Sequence, residues 1–176
     1  EIAPGDDLGG MLGARAAAEG VVPGDILIVA HKVVSKAEGR LVTLADVHPG
    51  PGARALAEET GKGPELCELI LSESARIVRR RGGTLICETH HGFVCANAGI
   101  DSSNAPEGRV VLLPVDPDAS ARRLQAKVAA GVGGRVGTVV IDTHGRPFRR
   151  GLVNVAIGVA GFDPILDHRG ERDRNG

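Results

Sequence analysis

The stretch Val136-Gly-Thr-Val-Val-Ile-Asp-Thr-His-Gly-Arg-Pro-Phe-Arg-Arg150 is the most informative in the chain, because an apolar run ends abruptly in an acid, a hydroxyl and three arginines. The run from Val136 to Ile141 predicts a buried strand. Asp142 and Thr143 then lie at its carboxyl end, where open α/β sheets bind their ligands. We therefore expect a candidate phosphate and metal site at this strand end.

Composition bounds the class of protein. The chain has 176 residues and 42% hydrophobic content, enough for one compact domain with its own core. Its 21 basic and 22 acidic side chains give a net charge of -1, so no overall field attracts nucleic acid or an anionic membrane. Trp and Tyr are absent and Phe occurs three times, which argues against a base-stacking surface. No apolar run approaches membrane-spanning length.

The cysteines and the chain ends give two further expectations. Cys67, Cys87 and Cys95 are an odd number in a chain whose amino terminus does not resemble a signal peptide, which favours a reducing cytoplasm. The chain opens on Glu1 without a methionine and ends in a polar tail. We expect a single domain over residues 1–176 that is truncated at both ends.

Hydrophobic periodicity and capping residues predict alternating helices and strands. Asp6 is expected to cap the first helix, and Asp116-Pro117 to start the last one. The predicted helices are 7–19, 53–60, 64–80 and 117–131, and the predicted strands are 26–30, 40–44, 84–88, 109–113 and 136–141. The alternation lacks the strictness of a doubly wound fold, so the fold class is α+β, an irregular mixed α/β domain.

The first candidate site is the pair Asp142-Thr143 with the arginines that follow. A carboxylate beside a hydroxyl offers hard oxygen ligands to Mg²⁺ or Mn²⁺, which proteins usually hold with one or two carboxylates and substrate phosphates. Arg146, Arg149 and Arg150 would neutralise such phosphates through forked contacts. A strand-end turn followed by solvated arginines explains the same segment equally well.

The second candidate is the segment Cys95-Ala-Asn-Ala-Gly-Ile-Asp-Ser-Ser-Asn104. Asp101 supplies a second hard ligand and Asn104 a hydrogen-bonding amide. An Asx-rich turn is the alternative. A two-carboxylate metal site would need both Asp101 and Asp142, so the two segments together are more telling than either alone.

The third candidate follows a predicted strand directly. Lys32 and Lys36 are mobile point charges that would bracket the phosphates of a nucleotide, although the glycines of a Walker A loop are missing. Solvated surface lysines are the alternative.

The fourth candidate is Cys87-Glu-Thr-His-His-Gly-Phe-Val-Cys95, whose thiols and imidazoles suggest zinc. The spacing argues against zinc, because adjacent histidines in an extended segment point to opposite faces and no familiar zinc pattern has this order.

Many short motifs, in order along nearly the whole chain, resemble the coenzyme F420-0:L-glutamate ligase family. They are Gly5-Asp-Asp-Leu-Gly9, Val33-Val-Ser-Lys-Ala-Glu-Gly-Arg40, Glu73-Ser-Ala-Arg76, Ile86-Cys-Glu-Thr89, His91-Gly-Phe-Val-Cys-Ala-Asn-Ala-Gly99, Leu113-Pro114, Asp116-Pro-Asp-Ala-Ser-Ala-Arg122, Asp142-Thr143, Gly145-Arg-Pro147 and Ala156-Ile-Gly-Val-Ala-Gly161. So many ordered motifs make the resemblance specific.

The resemblance implies a homodimeric ligase with a mixed sheet and flanking helices. Its implied reaction adds L-glutamate to F420-0, and then further γ-linked glutamates, using GTP with Mg²⁺ or Mn²⁺ and K⁺. Some relatives carry a fused flavin reductase domain after the ligase domain. Carried over by position, the resemblance implies metal ligation by Asp101, Asp142 and Thr143, a nucleotide contact by Asn104, and positions near GTP for three further residues, which are His31, Lys32 and Lys36.

The resemblance has departures, and two other functions stay open beside it. His144 and Phe148 stand where many relatives carry Phe and Trp, and relatives extend beyond both chain ends. A noncatalytic nucleotide- or deazaflavin-binding module of the same fold is one alternative. A structural domain stabilised by zinc at Cys87 and Cys95 is the other.

Overall fold

The computed structural model of the protein describes residues 1–145 and 150–172. The described helices are α1 (Leu8–Ala18), α2 (His31–Ala37), α3 (Pro51–Thr60), α4 (Pro64–Ser72) and α5 (Pro117–Val132). The described strands are β1 (Ile26–Ala30), β2 (Leu41–Thr43), β3 (Ser74–Arg81), β4 (Thr84–Thr89), β5 (Val94–Ala96), β6 (Arg109–Val111), β7 (Gly137–Gly145) and β8 (Leu152–Ala160). Within these ranges, no helix combines the length and apolarity that crossing a bilayer requires.

The central sheet has the strand order β1-β7-β8, in which β1 and β7 are parallel and β7 and β8 antiparallel. Its buried face packs on α1 and α5 through a core that includes Val29, Val140, Leu124 and Ile157. The two helices lie close together at Gly131, where the absence of a side chain leaves the necessary room. A Cβ added there would lie 2.8 Å from a backbone oxygen of α1. This sheet contains both parallel and antiparallel pairs and is flanked by helices, as predicted.

A second layer is formed by the antiparallel sheet β3-β4-β5 and the helices α3 and α4. The core between them includes Leu56, Ile70, Leu85 and Cys87, all nearly or fully inaccessible to solvent. The short antiparallel pair β2-β6 carries a smaller core with Val110 at its centre. The predicted α+β class is therefore confirmed, with three small sheets among the described residues.

Several predicted elements need correction. The predicted helix 64–80 is wrong beyond Ser72, because residues 74–81 form β3 and Arg79 to Arg81 lie in a strand rather than at a helix end. Asp7 caps α1 by accepting a hydrogen bond from Gly10, whereas the carboxylate of Asp6 accepts from Ala3. β5 and β8 were not predicted.

The strand predicted at residues 136–141 is also longer than expected. β7 continues through Asp142 and Thr143 to Gly145, so these two residues lie inside a strand. Its parallel neighbour β1 ends earlier, since Ala30 pairs with Ile141. Asp142 therefore lies just past the carboxyl end of β1, the position at which parallel sheets present ligand-binding residues.

Candidate functional site

One open cleft is lined by four of the candidate site residues, which are Lys32, Asp101, Asp142 and Thr143. It has a volume of about 680 Å³ and lies between the sheet β3-β4-β5 and the carboxyl-terminal part of β7. It is lined by Lys32, Val78, Arg79, Ile86, Val94, Cys95, Ala96, Asn97, Gly99, Ile100, Asp101, Asp142, Thr143, His144 and Gly145. A second cavity of about 530 Å³, between α1, α2 and α5, contains none of the predicted site residues.

Asp142 is held between two histidines. Nε2 of His31 lies 3.2 Å from one carboxylate oxygen, and Nε2 of His144 lies 3.2 Å from the other. The backbone N–H of Thr143 donates to the first oxygen at 2.7 Å. Asp142 is only 9% exposed, and His31 only 1%. These contacts fix the direction in which the carboxylate faces the cleft.

The same contacts keep Asp142 ionised. Burial alone would raise the pKa of this carboxyl group. The hydrogen bond and charge of His31, the Thr143 N–H and the charge of His144 outweigh the burial, so the pKa lies below its usual value. An ionised, partly buried carboxylate at a cleft is a suitable ligand for a divalent cation.

The junction between β1 and α2 explains why His31 reaches Asp142. His31 is the first residue of α2 and follows Ala30, the last residue of β1, without an intervening loop. Its Nδ1 lies 3.4 Å from the hydroxyl of Ser35, one turn further along the helix. His31 is thus held from both sides of its ring and contacts Asp142 rather than solvent.

Asp101 lines the same cleft. Its backbone N–H and C=O are bonded to Val111, which fixes the main chain. One carboxylate oxygen accepts hydrogen bonds from the N–H and hydroxyl of Ser103, at 3.0 and 2.6 Å. The other accepts from the Asn104 amide at 3.0 Å and lies 3.3 Å from Nζ of Lys32.

These donors hold Asp101 in the charged form. Burial acts to raise the pKa of the carboxyl group, but the hydrogen bonds from Ser103 and Asn104 and the charge of Lys32 together lower it far below its usual value. The contact with Ser103 is the Asx turn that the sequence analysis held as an alternative. Asp101 therefore forms the turn and lines the cleft at the same time.

The remaining predicted site residues differ in whether they line the cleft. Lys32 and Lys36 lie one turn apart on α2 and so share a face of the helix, but only Lys32 lines the cleft. Asn104 reaches the cleft through its bond to Asp101. Thr143 lines the cleft, yet its hydroxyl donates to Asn154 on β8 at 3.0 Å. Three further residues have other positions: Arg146 and Arg149 lie outside the described residues, and Arg150 is exposed.

In the residues that the structure describes, the cysteines and histidines of the segment from Cys87 to Cys95 lie in different surroundings. Cys87 and Cys95 are buried and lie opposite each other on β4 and β5. His90 and His91 instead approach backbone carbonyls, those of Ser72 and Pro114, at 3.0 Å. In residues 1–145 and 150–172, no group of three or more His, Cys, Asp or Glu side chains is arranged to hold a metal ion. The zinc alternative has no structural support.

Three cleft residues were not selected from the sequence. His144 follows Asp142 by two positions on β7 and therefore points to the same face, a signal that strand periodicity offers. Asn97 lies in a left-handed turn, in which three consecutive residues, Asn97, Ala98 and Gly99, have φ values of 49°, 55° and 75°. Asn and Gly tolerate this conformation, and such strained turns concentrate at functional sites. Arg79 was assigned to a helix end.

Comparison with known proteins shows which family the chain is similar to. A model of the F420-0:Gamma-glutamyl ligase family matches residues 1–176. The coenzyme F420:L-glutamate ligase of Methanopyrus kandleri is 49% identical over 176 residues, which are 100% of this chain and 69% of that protein. The ligase of the same name from Methanothermobacter thermautotrophicus is 45% identical over 177 residues, covering 99% of this chain and 70% of that protein. The corresponding Halobacterium salinarum protein is 44% identical over 100% of this chain and 69% of its own length.

Proposed function

Because the chain belongs to the F420-0:gamma-glutamyl ligase family, a family of amide-forming ligases, we propose that it joins L-glutamate to coenzyme F420-0 in F420 biosynthesis. The observation that carries this proposal is the 49% identity over the whole chain, together with two ionised aspartates in one cleft. Further γ-linked glutamates are added by the same reaction. A cytoplasmic location is part of this proposal, because an odd number of cysteines, three, favours a reducing compartment over a disulfide framework.

We propose GTP as the cosubstrate, because a carboxylate does not condense with an amine at neutral pH. The terminal phosphoryl group of GTP passes to the carboxylate of F420-0, which yields GDP and an acyl phosphate. The glutamate nitrogen attacks the acyl carbon, the C–N bond forms, and inorganic phosphate leaves while the nitrogen loses its proton. The protein contributes mainly positioning and electrostatics to such a phosphoryl transfer.

Asp101 and Asp142 are the proposed ligands of Mg²⁺ or Mn²⁺. Their chemistry fits this role, since both are charged carboxylates on one cleft and such hard cations prefer oxygen. When bound, the cation would offset charge on the phosphates of the nucleotide. Thr143 is the third proposed ligand, since its hydroxyl donates its proton to Asn154 and keeps its oxygen lone pairs for a cation. K⁺ is a further cation that the resemblance suggests.

The basic residues around the cleft are proposed to hold the nucleotide. Lys32 is the best placed, because it already reaches the cleft and its partner Asp101 would be shared with the cation. Lys36, one turn further along α2, extends the same positive face, and Asn104 contributes an amide donor next to Asp101. Arg146 and Arg149 are proposed on their sequence position alone to bind substrate phosphates or carboxylates.

His31 has a different proposed role from the position near GTP that the family resemblance implies. Its side chain is buried and contacts the carboxylate of Asp142, so we assign it to positioning that carboxylate rather than to contacting GTP. His144 would act in the same way from the other side. Residues that orient metal ligands commonly matter nearly as much as the ligands themselves.

The substitution Asp142→Asn tests the proposed function. Loss of one negative ligand should reduce GTP turnover that depends on both F420-0 and glutamate by at least about a hundredfold, with an unchanged circular dichroism spectrum. Asp163→Asn is the matched control, because Asp163 is exposed and lies away from the cleft. Normal turnover in Asp142→Asn, at unchanged metal concentration, would refute the metal role.

A noncatalytic nucleotide- or deazaflavin-binding module is the second candidate. The open cleft with ionised carboxylates favours it as much as it favours catalysis, since neither feature requires turnover. Liberation of phosphate from GTP, measured with and without F420-0 and glutamate, separates the two. Nucleotide binding without phosphate release would favour the module.

We also propose that the chain forms a homodimer, and that a flavin reductase domain follows the ligase domain in some longer proteins of this kind. The first proposal is supported by β1, which has one hydrogen-bonded neighbour among the described strands and exposes two isoleucines. Exposed apolar strands at a sheet edge commonly pair with another chain. The second proposal rests on the resemblance alone.

A further inference from the structure

The arginines of β3 are not equivalent in their ion pairing. Arg76 lies 2.6 Å from Glu88, and Arg80 lies 2.6 Å from Glu59. Arg79 lies between them in sequence and has no carboxylate within ion-pair distance in the described parts of the chain. Arg79 lines the cleft that also contains Asp101 and Asp142. It is therefore a cation that faces the cleft without a compensating partner there.

A β-bulge is the reason that Arg79 faces the cleft. Ile77 pairs with Cys87 and Arg79 pairs with Ile86, so Val78 is an extra residue on β3. In a regular antiparallel ladder Arg79 would pair with Leu85, which is fully buried against α3 and α4. The bulge shifts the register by one residue and turns Arg79 to the face of Ile86, which lines the cleft. Bulges of this kind commonly redirect a side chain next to a functional site.

The charges of the cleft indicate what Arg79 would bind. Lys32 is already within ion-pair distance of Asp101, and Asp142 is already surrounded by two histidines. In the described parts of the chain Arg79 has no such partner, and its planar guanidinium presents a fork of N–H donors that matches the oxygens of a carboxylate or a phosphoryl group. Such a group would lie in the same cleft as the two aspartates.

We propose that Arg79 binds an oxyanion of a substrate, a carboxylate or a phosphoryl group, and so sets substrate affinity in the cleft. This inference rests on the proposed ligase function. Three substrates of that function carry such groups: GTP, F420-0 and L-glutamate. Arg79 holds one of them and takes part in no bond-making step.

Steady-state kinetics of Arg79→Gln test the proposal, with each of the three substrates varied in turn. One KM should rise at least about tenfold while kcat stays within about threefold, because a charge-assisted pair is lost from binding. The substrate whose KM rises identifies the bound group. Arg79→Lys should recover part of the affinity, since it restores the charge without the fork.

Arg80→Gln is the matched control, because Arg80 is the neighbouring arginine of the same strand and its partner Glu59 lies on the surface. Its three KM values should match those of the wild-type protein. If the wild-type protein turns over and Arg79→Gln has the same KM values as Arg80→Gln, the inference is overturned while the ligase function stands.

Direct binding separates a failure of this inference from a failure of the ligase function. Isothermal titration with tripolyphosphate and with L-glutamate needs no turnover. If the wild-type protein is inactive but binds one of these probes, weaker binding by Arg79→Gln than by Arg80→Gln supports the role of Arg79. Equal binding by the two variants, or no binding by the wild-type protein without turnover, overturns it.

Discussion

At the scale of single residues, the orientation of Asp142 is the best-determined property of the site. Three groups surround its carboxylate: the backbone N–H of Thr143 donates to it, and Nε2 of His31 and of His144 each lie 3.2 Å from one of its oxygens. A carboxylate that is fixed before its ligand arrives loses less conformational freedom on binding. The buried histidines thus contribute to the proposed role of Asp142 although neither is exposed.

We predict that His31→Gln weakens metal-dependent activity with a small effect on the fold. The glutamine amide can reach the position of Nε2, but the flexible side chain lacks the second ring nitrogen that contacts Ser35, so it should hold the carboxylate of Asp142 less firmly. Loss of an orienting partner typically costs about 10- to 100-fold in metal affinity or activity. Titration of GTP turnover with Mn²⁺ measures the effect as a higher half-saturating metal concentration.

His48→Gln is the control for that experiment, because His48 is exposed, does not line the cleft, and has its Nδ1 3.1 Å from the backbone carbonyl oxygen of Asp46. Its metal dependence should equal that of the wild-type protein. An unchanged metal dependence in His31→Gln would mean that His31 only fills space beside Asp142.

At the scale of elements, strand and helix prediction succeeded where periodicity was unambiguous. β1 and α5 have bounds close to the predicted ones, because a β-branched run and a capped, proline-initiated helix are strong signals. The predicted helix 64–80 failed beyond Ser72 because Ile77 continues the apolar spacing of Ile70, so the period alone does not show where α4 ends. Residues 74–81 form a strand because they pair with β4, and the apolar spacing within the segment does not reveal this pairing.

The candidate site was predictable in part for the same reason. Asp101 and Asp142 were selected as oxygen ligands from local sequence, and the structure places both on one cleft. Arg79 was not predictable, since its direction depends on a bulge in the pairing of β3 with β4. The contact between His31 and Asp142 likewise depends on the parallel register of β1 and β7. In both examples the pairing register between strands, rather than the type of residue, determines where the side chain lies.

The close contact of α1 with α5 gives a prediction at this scale. Gly131→Ala should lower the free energy of unfolding by about 1–3 kcal/mol, because the new Cβ would lie 2.8 Å from the Gly13 carbonyl oxygen, which is backbone and has to move. The higher helix propensity of alanine offsets only about 1 kcal/mol of the clash. Urea denaturation followed by circular dichroism measures the difference.

Gly52→Ala is the matched control, since Gly52 is also helical and its added Cβ would meet only Leu71, at 3.9 Å. This substitution should leave stability unchanged or raise it by up to about 1 kcal/mol. Equal stability of the two variants would show that α1 and α5 adjust without cost.

At the scale of the whole molecule, the central sheet is covered unequally. α1 and α5 pack on one face, where Val29 and Val140 are buried. On the other face of β1, Ile26 is 53% exposed and Ile28 is 63% exposed. Apolar side chains on an edge strand favour association, because both the side chains and the unpaired backbone groups gain from a partner.

We predict that Ile28→Lys weakens the proposed homodimer, because a charge at the centre of an apolar contact has to be desolvated. The dissociation constant, measured by light scattering coupled to size-exclusion chromatography over a concentration series, should rise at least about tenfold. Val115→Lys is the control, since Val115 is 71% exposed but lies outside the central sheet. A wild-type chain that stays monomeric at every concentration, or an Ile28→Lys variant that dimerises as tightly as Val115→Lys, would show that β1 is not the dimer contact.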